Sequence, residues 1–264
     1  MKKMSDFEIR FQGLLKLKGL EFIQSLLKLE EDRFNKNFLR GSVYEGINTD
    51  FGLFPPLKVY PFYFLGNITE SKGKKIFIGI NPGHDRGNSL EQKFLEEKGC
   101  FNGYCNIFGD FLKKKNKGLS SRYFSNIAGF LKRFYNIQET IDWMWFQNNF
   151  IGLDFIPYHS KDAAGIRINN LEKFKNTYFL SMIKILEHIN PEEYVFINGF
   201  PTFEKYFKED LFRKEVQFKK IDNFWVGKIG RFKFLGLPFL TRISGGKDKL
   251  VNNIRKYLSN EKTT

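Results

Sequence analysis

The sequence predicts an α/β fold with a mainly parallel central sheet and helices on both of its faces. The residues KKIFIGI at 74–80 form an uninterrupted apolar run after two lysines, which is typical of a central strand covered on both sides. Strand and helix patterns alternate after this run, which favours parallel strands. The chain has 264 residues, of which 42% are hydrophobic and 32 are Phe, so its apolar surface suffices for one large domain.

The other elements follow in chain order. Residues 1–50 are predicted to be an N-terminal helical extension, because apolar residues between 7 and 39 recur at helical spacing, and 51–264 form the main domain. The prolines and aromatics of 54–64 predict an extended segment. Further strands are predicted at 150–156, 194–198 and 231–235, with a small hairpin at 214–221 and 224–229. Helices are predicted near 89–98, 122–134, 170–189, 201–208 and 247–258.

Functional residues are expected just after the strands. Ligands of open α/β sheets bind beyond the carboxyl ends of the strands, where loops and helix N-termini converge. Functional residues are therefore expected in the segments 81–86, 154–160, 198–201 and 238–246.

The charge of the chain favours a polyanionic partner. A formal net charge of +14 and an isoelectric point near 9.6 attract nucleic acid, and DNA is the leading candidate. Lys, Phe, Ile and Asn are all abundant, so the composition of an AT-rich genome explains the charge equally well. The lysine-rich run at 113–117 is expected to be solvated rather than to bind phosphate.

Cofactors and a membrane location are not expected. Cys100 and Cys105 are the only cysteines, match no zinc or redox motif, and are too few for the usual iron–sulfur cluster. The N-terminus lacks the pattern of a signal peptide, and no run of about 18 apolar residues is present. We expect a cytoplasmic monomer with reduced cysteines, no metal and no membrane partner.

The strand at 74–80 continues into Asn81-Pro82-Gly83-His84, and this string resembles the first active-site motif of the uracil-DNA glycosylase superfamily. Mismatch-specific uracil and thymine glycosylases carry GINPG there, and classical uracil enzymes carry GQDPYH. Residues 195–203 resemble the late strand of the superfamily, whose Gly introduces a helix. The segment 235–245, with Arg242 in place of His or Asn, is a degenerate second motif. Over residues 60–258 the resemblance implies a three-layer α/β/α sandwich and base flipping without a metal.

The first motif would carry the chemistry. Hydrolysis of an N-glycosidic bond requires a flipped-out nucleotide, a placed water and stabilisation of the departing base. The resemblance gives Asn81 the position of the catalytic Asp, but an amide positions water without ionising, so slower chemistry is expected. It assigns His84 to the catalytic water or to a phosphate. Gly83 replaces the Tyr that blocks C5 substituents, which implies room for a larger base. Taken alone, residues 81–83 favour an ordinary turn after a strand, and the catalytic interpretation depends on their placement at a strand end and on the order of the segments downstream.

Asp154 and an aromatic residue are assigned to the base. Asp154 follows the strand residues 150–153, at a position where many relatives use Asn to recognise the pyrimidine. A carboxylate accepts but does not donate, which suits the amino group of cytosine. Together with Gly83 it favours a C5-modified cytosine. The stacking aromatic is expected about a dozen residues after the first motif, at Phe94, with Phe101 as the alternative.

The second motif is assigned to the leaving base and the DNA backbone. Arg242 is expected to donate to the base oxygen or to clamp a phosphate, and Ser244, Gly245 and Lys247 are expected to contact DNA. His159 is a weaker candidate on the loop after Asp154.

Two other functions remain open. The Asn at position 81 and the altered second motif are also consistent with a DNA-binding module that has little catalytic activity. A nucleotide-binding α/β protein is disfavoured, because neither a Walker sequence nor GxGxxG follows the strand at 74–80. The biological role would be repair or defence against modified phage DNA.

Overall fold

The structure is a computed structural model that describes residues 5–39, 63–80, 98–113, 119, 121–157, 167–243 and 246–261. Its strands are β1 (Phe64–Leu65), β2 (Lys75–Gly79), β3 (Phe150–Asp154), β4 (Val195–Asn198), β5 (Val216–Ile221), β6 (Phe224–Ile229) and β7 (Phe232–Leu237). They form one seven-stranded sheet in the order β1-β3-β2-β4-β7-β6-β5. The α/β class is therefore confirmed.

The helices alternate with the strands along the chain. They are α1 (Asp6–Leu14), α2 (Gly19–Leu39), α3 (Cys100–Lys113), α4 (Arg122–Tyr135), α5 (Trp143–Asn149), α6 (Leu171–Phe174), α7 (Leu180–Ile189), α8 (Pro201–Phe207) and α9 (Lys247–Glu261). A π-helical segment, Lys175–Phe179, joins α6 to α7. Helices α3 and α5 were not predicted, and most of the helix predicted near 89–98 lies outside the described residues.

The sheet is mixed, so the predicted mainly parallel order is not confirmed. Strand β4 is parallel to β2 on one side and to β7 on the other. The pairs β1–β3, β5–β6 and β6–β7 are antiparallel. The predicted hairpin is present, but it does not stand apart from the sheet. It turns at Asp222 (φ 53°) and again at Gly230 (φ 56°), and so extends the sheet from β7 with two antiparallel strands.

The chain divides into two compact units. The first comprises Met1–Lys72, Gly79–Ile107 and Gly152–Asn190, and its helix α2 packs against α7. In its core, the Tyr63 hydroxyl donates to the buried carboxylate of Glu30 at 2.7 Å. The boundary predicted at residue 50 lies outside the described residues.

The second unit comprises Gly73–Ile78, Phe108–Ile151 and Pro191–Thr264. Aromatic rings fill its core, and Phe77 of β2 stacks on Phe196 of β4 with ring centroids 4.8 Å apart. Phe130 of α4 meets the edge of Phe77 at 5.9 Å. The many Phe residues are used mainly as packing groups that hold helices on the sheet.

Candidate functional site

Much of the predicted site lies outside the described residues. This applies to Asn81, Gly83 and His84 of the first motif, and to Phe94, His159, Ser244 and Gly245. The residues that the structure does describe are the strands leading into the two motifs, Asp154, Arg242, Lys247 and their neighbours.

Strand β2, which leads into Asn81, is a buried inner strand of the sheet. Ile76, Phe77, Ile78 and Ile80 are each at most 3% exposed. The register pairs Phe77 with Phe196 and Ile78 with Ile197 of the parallel strand β4. The sequence prediction of a central strand is therefore confirmed, although the strand spans Lys75–Gly79 instead of 74–80.

Asp154 ends β3, beside the chain that leads into the first motif. The N–H groups of Phe155 and Ile156 donate to the carbonyl oxygens of Gly79 and Ile80 at 3.1 and 3.0 Å. On the other side, the N–H of Asp154 donates to the carbonyl of Tyr63 at 3.4 Å. These contacts within the first unit bring the backbone of Asp154 next to the residues that precede Asn81.

The carboxyl group of Asp154 has an unusual environment. The residue is half-buried, and loss of solvation raises the pKa of its carboxyl well above the ordinary value of 3.8. Among the described residues, no cation pairs with this carboxyl and no side chain donates a hydrogen bond to it. Because its pKa is raised, the neutral form of this carboxyl group also has to be considered. The neutral form both donates and accepts hydrogen bonds, whereas the carboxylate considered in the sequence analysis only accepts them.

In the second unit, Asn198 links the end of β4 to the second motif. Its buried side-chain oxygen accepts a hydrogen bond from the backbone N–H of Leu240 at 3.0 Å. The next residue, Gly199, has φ +82°, and a Cβ there would lie 2.4 Å from the ring of Phe239. Helix α8 begins at Pro201, so the prediction that a Gly after this strand introduces a helix is confirmed.

Arg242 lies on the turn that follows. Its N–H donates to the carbonyl of Phe239 at 2.9 Å, and its guanidinium lies 4.8 Å from the centre of the Phe239 ring. The residue is exposed. The ring contact holds the arginine, and no acceptor among the described residues bonds its guanidinium, so its donors are available to a partner.

Lys247 belongs to a group of positive charges that we call the cationic cluster, made of Arg122, Arg133 and Lys247. The ammonium group of half-buried Lys247 donates to the side-chain oxygen of Asn126 on α4. Arg122, in the first turn of α4, donates to the carbonyl of Thr241 at 3.3 Å. These contacts hold Thr241, within the second motif, and Lys247, just after it, against α4.

The charges of the cationic cluster are only partly balanced. Arg133 pairs with Asp248 at 2.6 Å, whereas Arg122 and Lys247 have no ion-pair partner among the described residues. Burial lowers the pKa of Lys247, and the nearby positive charges of Arg133 and Arg122 lower it further. An anion bound beside Lys247 would stabilise its charged form.

Arg122, Asn126 and Asn198 were not assigned from the sequence. Arg122 and Asn126 are identified as site residues only by their position in the fold, because nothing in the helical pattern of α4 distinguishes them from solvated residues. Phe101, the alternative stacking residue, is half-buried on α3 and meets the ring of Phe64 edge-on at 6.2 Å. Its role as a base-stacking residue stays a prediction.

Neither thiol forms a disulfide. No group of His, Cys, Asp and Glu in the described ranges is arranged to hold a metal ion. None of the described helices is long and apolar enough to cross a membrane.

No family model matches the chain, and no curated protein matches it.

Proposed function

We propose that the protein is a monofunctional DNA glycosylase that hydrolyses the N-glycosidic bond of a flipped-out pyrimidine and leaves an abasic site. One observation carries the proposal. The string GINPG, residues 79–83, starts at the last residue of a buried strand that is parallel to its neighbour β4. The glycosylase motif that this string resembles lies at the end of such a buried parallel strand. An ordinary surface turn needs no strand of this kind. The three-layer α/β/α arrangement is part of the proposal.

Asn81 is the centre of the proposed chemistry. Its side-chain oxygen orients a water molecule below the sugar, and His84 contacts that water or a phosphate. Since the amide does not ionise, the rate relies on the departing base, whose developing negative charge must be stabilised by donors such as Arg242. Gly83 leaves space beside C5 of the base.

Asp154 is the proposed base-recognition residue, and its raised pKa refines that role. The carboxylate accepts from the amino group at C4 of cytosine, whereas the neutral carboxyl also donates to the C4 oxygen of uracil. A cytosine amino group stabilises the charged form, so binding of cytosine is coupled to loss of the proton from Asp154. We retain a C5-modified cytosine as the preferred substrate.

The DNA backbone is the proposed partner of the second motif. Arg242, Ser244, Gly245 and Lys247 would contact phosphates near the flipped nucleotide. The unbalanced charge of the cationic cluster supports this assignment and adds Arg122 to it. DNA binding through these groups carries no base specificity by itself.

A DNA-binding module with little catalytic activity is the second candidate. The cationic cluster favours it as much as it favours the enzyme, because phosphate contacts need no chemistry. Asn81, in place of an ionisable Asp, also fits a protein that holds a base without releasing it.

The full chain should be incubated with oligonucleotides that contain uracil, a thymine mismatch or C5-modified cytosines, followed by alkali to cut abasic sites. The glycosylase predicts cleavage at one of these bases, with modified cytosine preferred and with Asp154→Asn shifting the preference towards uracil. Binding to all of these oligonucleotides without cleavage of any would support the binding module instead.

A further inference from the structure

A buried carboxyl group lies on the apolar face of α2. Ile23, Leu26, Leu27 and Glu30 recur at helical spacing and are each at most 3% exposed. The proposed chemistry does not use Glu30. A carboxyl group in a core costs free energy unless other groups bond it, so a position that served packing alone would favour an apolar side chain. The bonds of Glu30 therefore indicate why this residue is polar.

Glu30 accepts a hydrogen bond from Tyr63, the residue before β1. The hydroxyl of Tyr63 donates to Oε1 of Glu30 at 2.7 Å, and both residues are buried. Burial and the negative charge of Glu30 raise the pKa of this hydroxyl well above its ordinary value of 10.0, so it keeps its proton. A short, charge-assisted hydrogen bond thus joins α2 to the start of β1.

Arg33 supports this pair from the next turn of α2. Its guanidinium lies 4.5 Å from the centre of the Phe7 ring and donates to the hydroxyl of Tyr178 at 3.5 Å. The positive charge of Arg33 acts on the Tyr63 hydroxyl in the direction opposite to that of Glu30. A cation near a buried carboxylate offsets part of the cost of burying it. Arg33 therefore favours the ionised form of Glu30, which is the form that only accepts.

Tyr63 also holds the backbone of Asp154. The register of the antiparallel strands β1 and β3 pairs Phe64 with Leu153. Tyr63 therefore lies opposite Asp154, at the carboxyl end of β3. The N–H of Asp154 donates to the carbonyl of Tyr63 at 3.4 Å. A bond of this length is weak, so it restrains Asp154 well only where Tyr63 is itself fixed. The side chain of Tyr63 is fixed by Glu30.

We propose that Glu30 and Tyr63 are positioning residues for base recognition: Glu30 fixes Tyr63, whose backbone carbonyl holds Asp154 in place beside the base. The role in recognition rests on the proposed function, whereas the link between the three residues does not. All three belong to the first unit. The proposal gives α2, which precedes the part of the chain that resembles the glycosylases, a task in substrate selection.

Amide hydrogen exchange, measured by NMR on the full chain, tests the link without any substrate. Tyr63→Phe keeps the ring but removes the hydroxyl that Glu30 accepts. The N–H of Asp154 should then exchange at least about tenfold faster, because its bond to the Tyr63 carbonyl opens more often. The N–H groups of Phe155 and Ile156, which donate to residues at the end of β2, should change less than about twofold. A general loss of stability would accelerate all three amides alike.

Three further variants separate the bond from general stability. Glu30→Gln keeps an oxygen that accepts from Tyr63, so exchange of the Asp154 amide should stay within about threefold of wild type. Glu30→Leu removes the acceptor and should match Tyr63→Phe. The matched control Tyr135→Phe removes a hydroxyl that donates to Glu193, also at 2.7 Å, in the second unit. It should leave the Asp154 amide unchanged.

Base preference tests the part of the proposal that rests on glycosylase activity. Tyr63→Phe should lower the ratio of kcat/KM for cytosine-type over uracil-type substrates by about threefold or more, because Asp154 is less well placed to discriminate between them. Glu30→Gln and Tyr135→Phe should keep the wild-type ratio. A purely structural role would lower kcat/KM for both substrates by the same factor and leave the ratio unchanged.

The proposal is overturned if Tyr63→Phe leaves the Asp154 amide as slow as in wild type, or if the amides of Phe155 and Ile156 accelerate by the same factor. It is also overturned if Glu30→Gln exchanges as fast as Glu30→Leu, or if exchange changes while the base preference of an active enzyme does not. A wild type that cleaves none of the oligonucleotides overturns the glycosylase proposal instead, and hydrogen exchange then still decides whether Glu30 holds Asp154 through Tyr63.

Discussion

Asn198 at the end of β4 accepts a hydrogen bond from the backbone N–H of Leu240, 3.0 Å away, and so attaches the loop of the second motif to the sheet. Both residues are buried, at 4% and 1% exposure, so water does not replace the bond if it is lost. Leu240 stands two residues before Arg242. The position of that arginine therefore depends on a side chain that belongs to a different strand.

Replacing Asn198 by Ala should leave the N–H of Leu240 buried without a partner. We expect the protein to lose about 1–3 kcal/mol of stability, and DNA affinity to fall because Arg242 is no longer held. Thermal unfolding and DNA anisotropy measure the two effects. Asn149→Ala is the control, since it removes the amide that donates to the carbonyl of Trp145 at 3.0 Å, far from the motif in sequence. Equal DNA affinity in both variants would show that Asn198 only stabilises the fold.

Lys247→Gln should weaken binding to any DNA sequence, because the ammonium group is proposed to contact a phosphate. For one duplex phosphate contact, the slope of log K against log salt should become shallower by about 0.9. Lys249→Gln is the control, because Lys249 is exposed and lies two residues further along the same helix. An identical slope change in both variants would mean that only net charge matters.

Asp154→Asn should stabilise the folded protein at neutral pH. Burial raises the folded-state pKa of Asp154 above its ordinary value of 3.8, so stability is lost as the pH rises from that ordinary value through the raised pKa, and the full loss is present above it. Because the residue is half-buried, we expect a gain of about 1 kcal/mol, or about 2–4 °C in the unfolding midpoint. The gain should shrink as the pH falls towards 4, where both side chains are neutral. A variant less stable than wild type at pH 8 would contradict this account.

The preference of the wild type for cytosine-type over uracil-type bases should increase with pH. As the pH rises through the raised pKa of Asp154, the carboxylate that accepts from cytosine becomes the main form. The ratio of kcat/KM for cytosine-type over uracil-type substrates should therefore increase as the pH rises through the raised pKa of Asp154. In Asp154→Asn the ratio should stay constant. A pH-dependent ratio that persists in the variant would assign the titration to another group.

The strands were easier to predict than the helices. The apolar run before Asn81 and the run ending at Asn198 are strands as expected, because continuous burial on both faces leaves a pattern in the sequence. The antiparallel pairing of β6 with β7 was not predictable, because the sequence of a hairpin indicates its turn but not the strand beside which it lies. Helices α3 and α5 were missed because Gly, Asn and aromatic residues weaken the helical pattern of residues 100–113 and 143–149.

The candidate site was predictable only where a residue follows a strand. Asp154 was identified by this rule, and the structure adds the cause of its raised pKa. Arg122 and Asn126 were not predicted because they lie on α4 and not after a strand. They contact the region of the second motif only through tertiary packing. The balance of charges around Lys247 depends on two helices, α4 and α9, that are far apart in the sequence, and it leaves no local pattern there.

The most direct test of the central claim compares wild type with Asn81→Ala on the substrate that wild type cleaves best. Base release is measured under single-turnover conditions, and affinity is measured by anisotropy on the same oligonucleotide. We predict that the variant loses base release by at least about a hundredfold, while its dissociation constant changes less than about threefold, because Asn81 acts on water and does not hold the duplex. Base release by Asn81→Ala at the wild-type rate, or no release by the wild type from any of these oligonucleotides, would contradict the account.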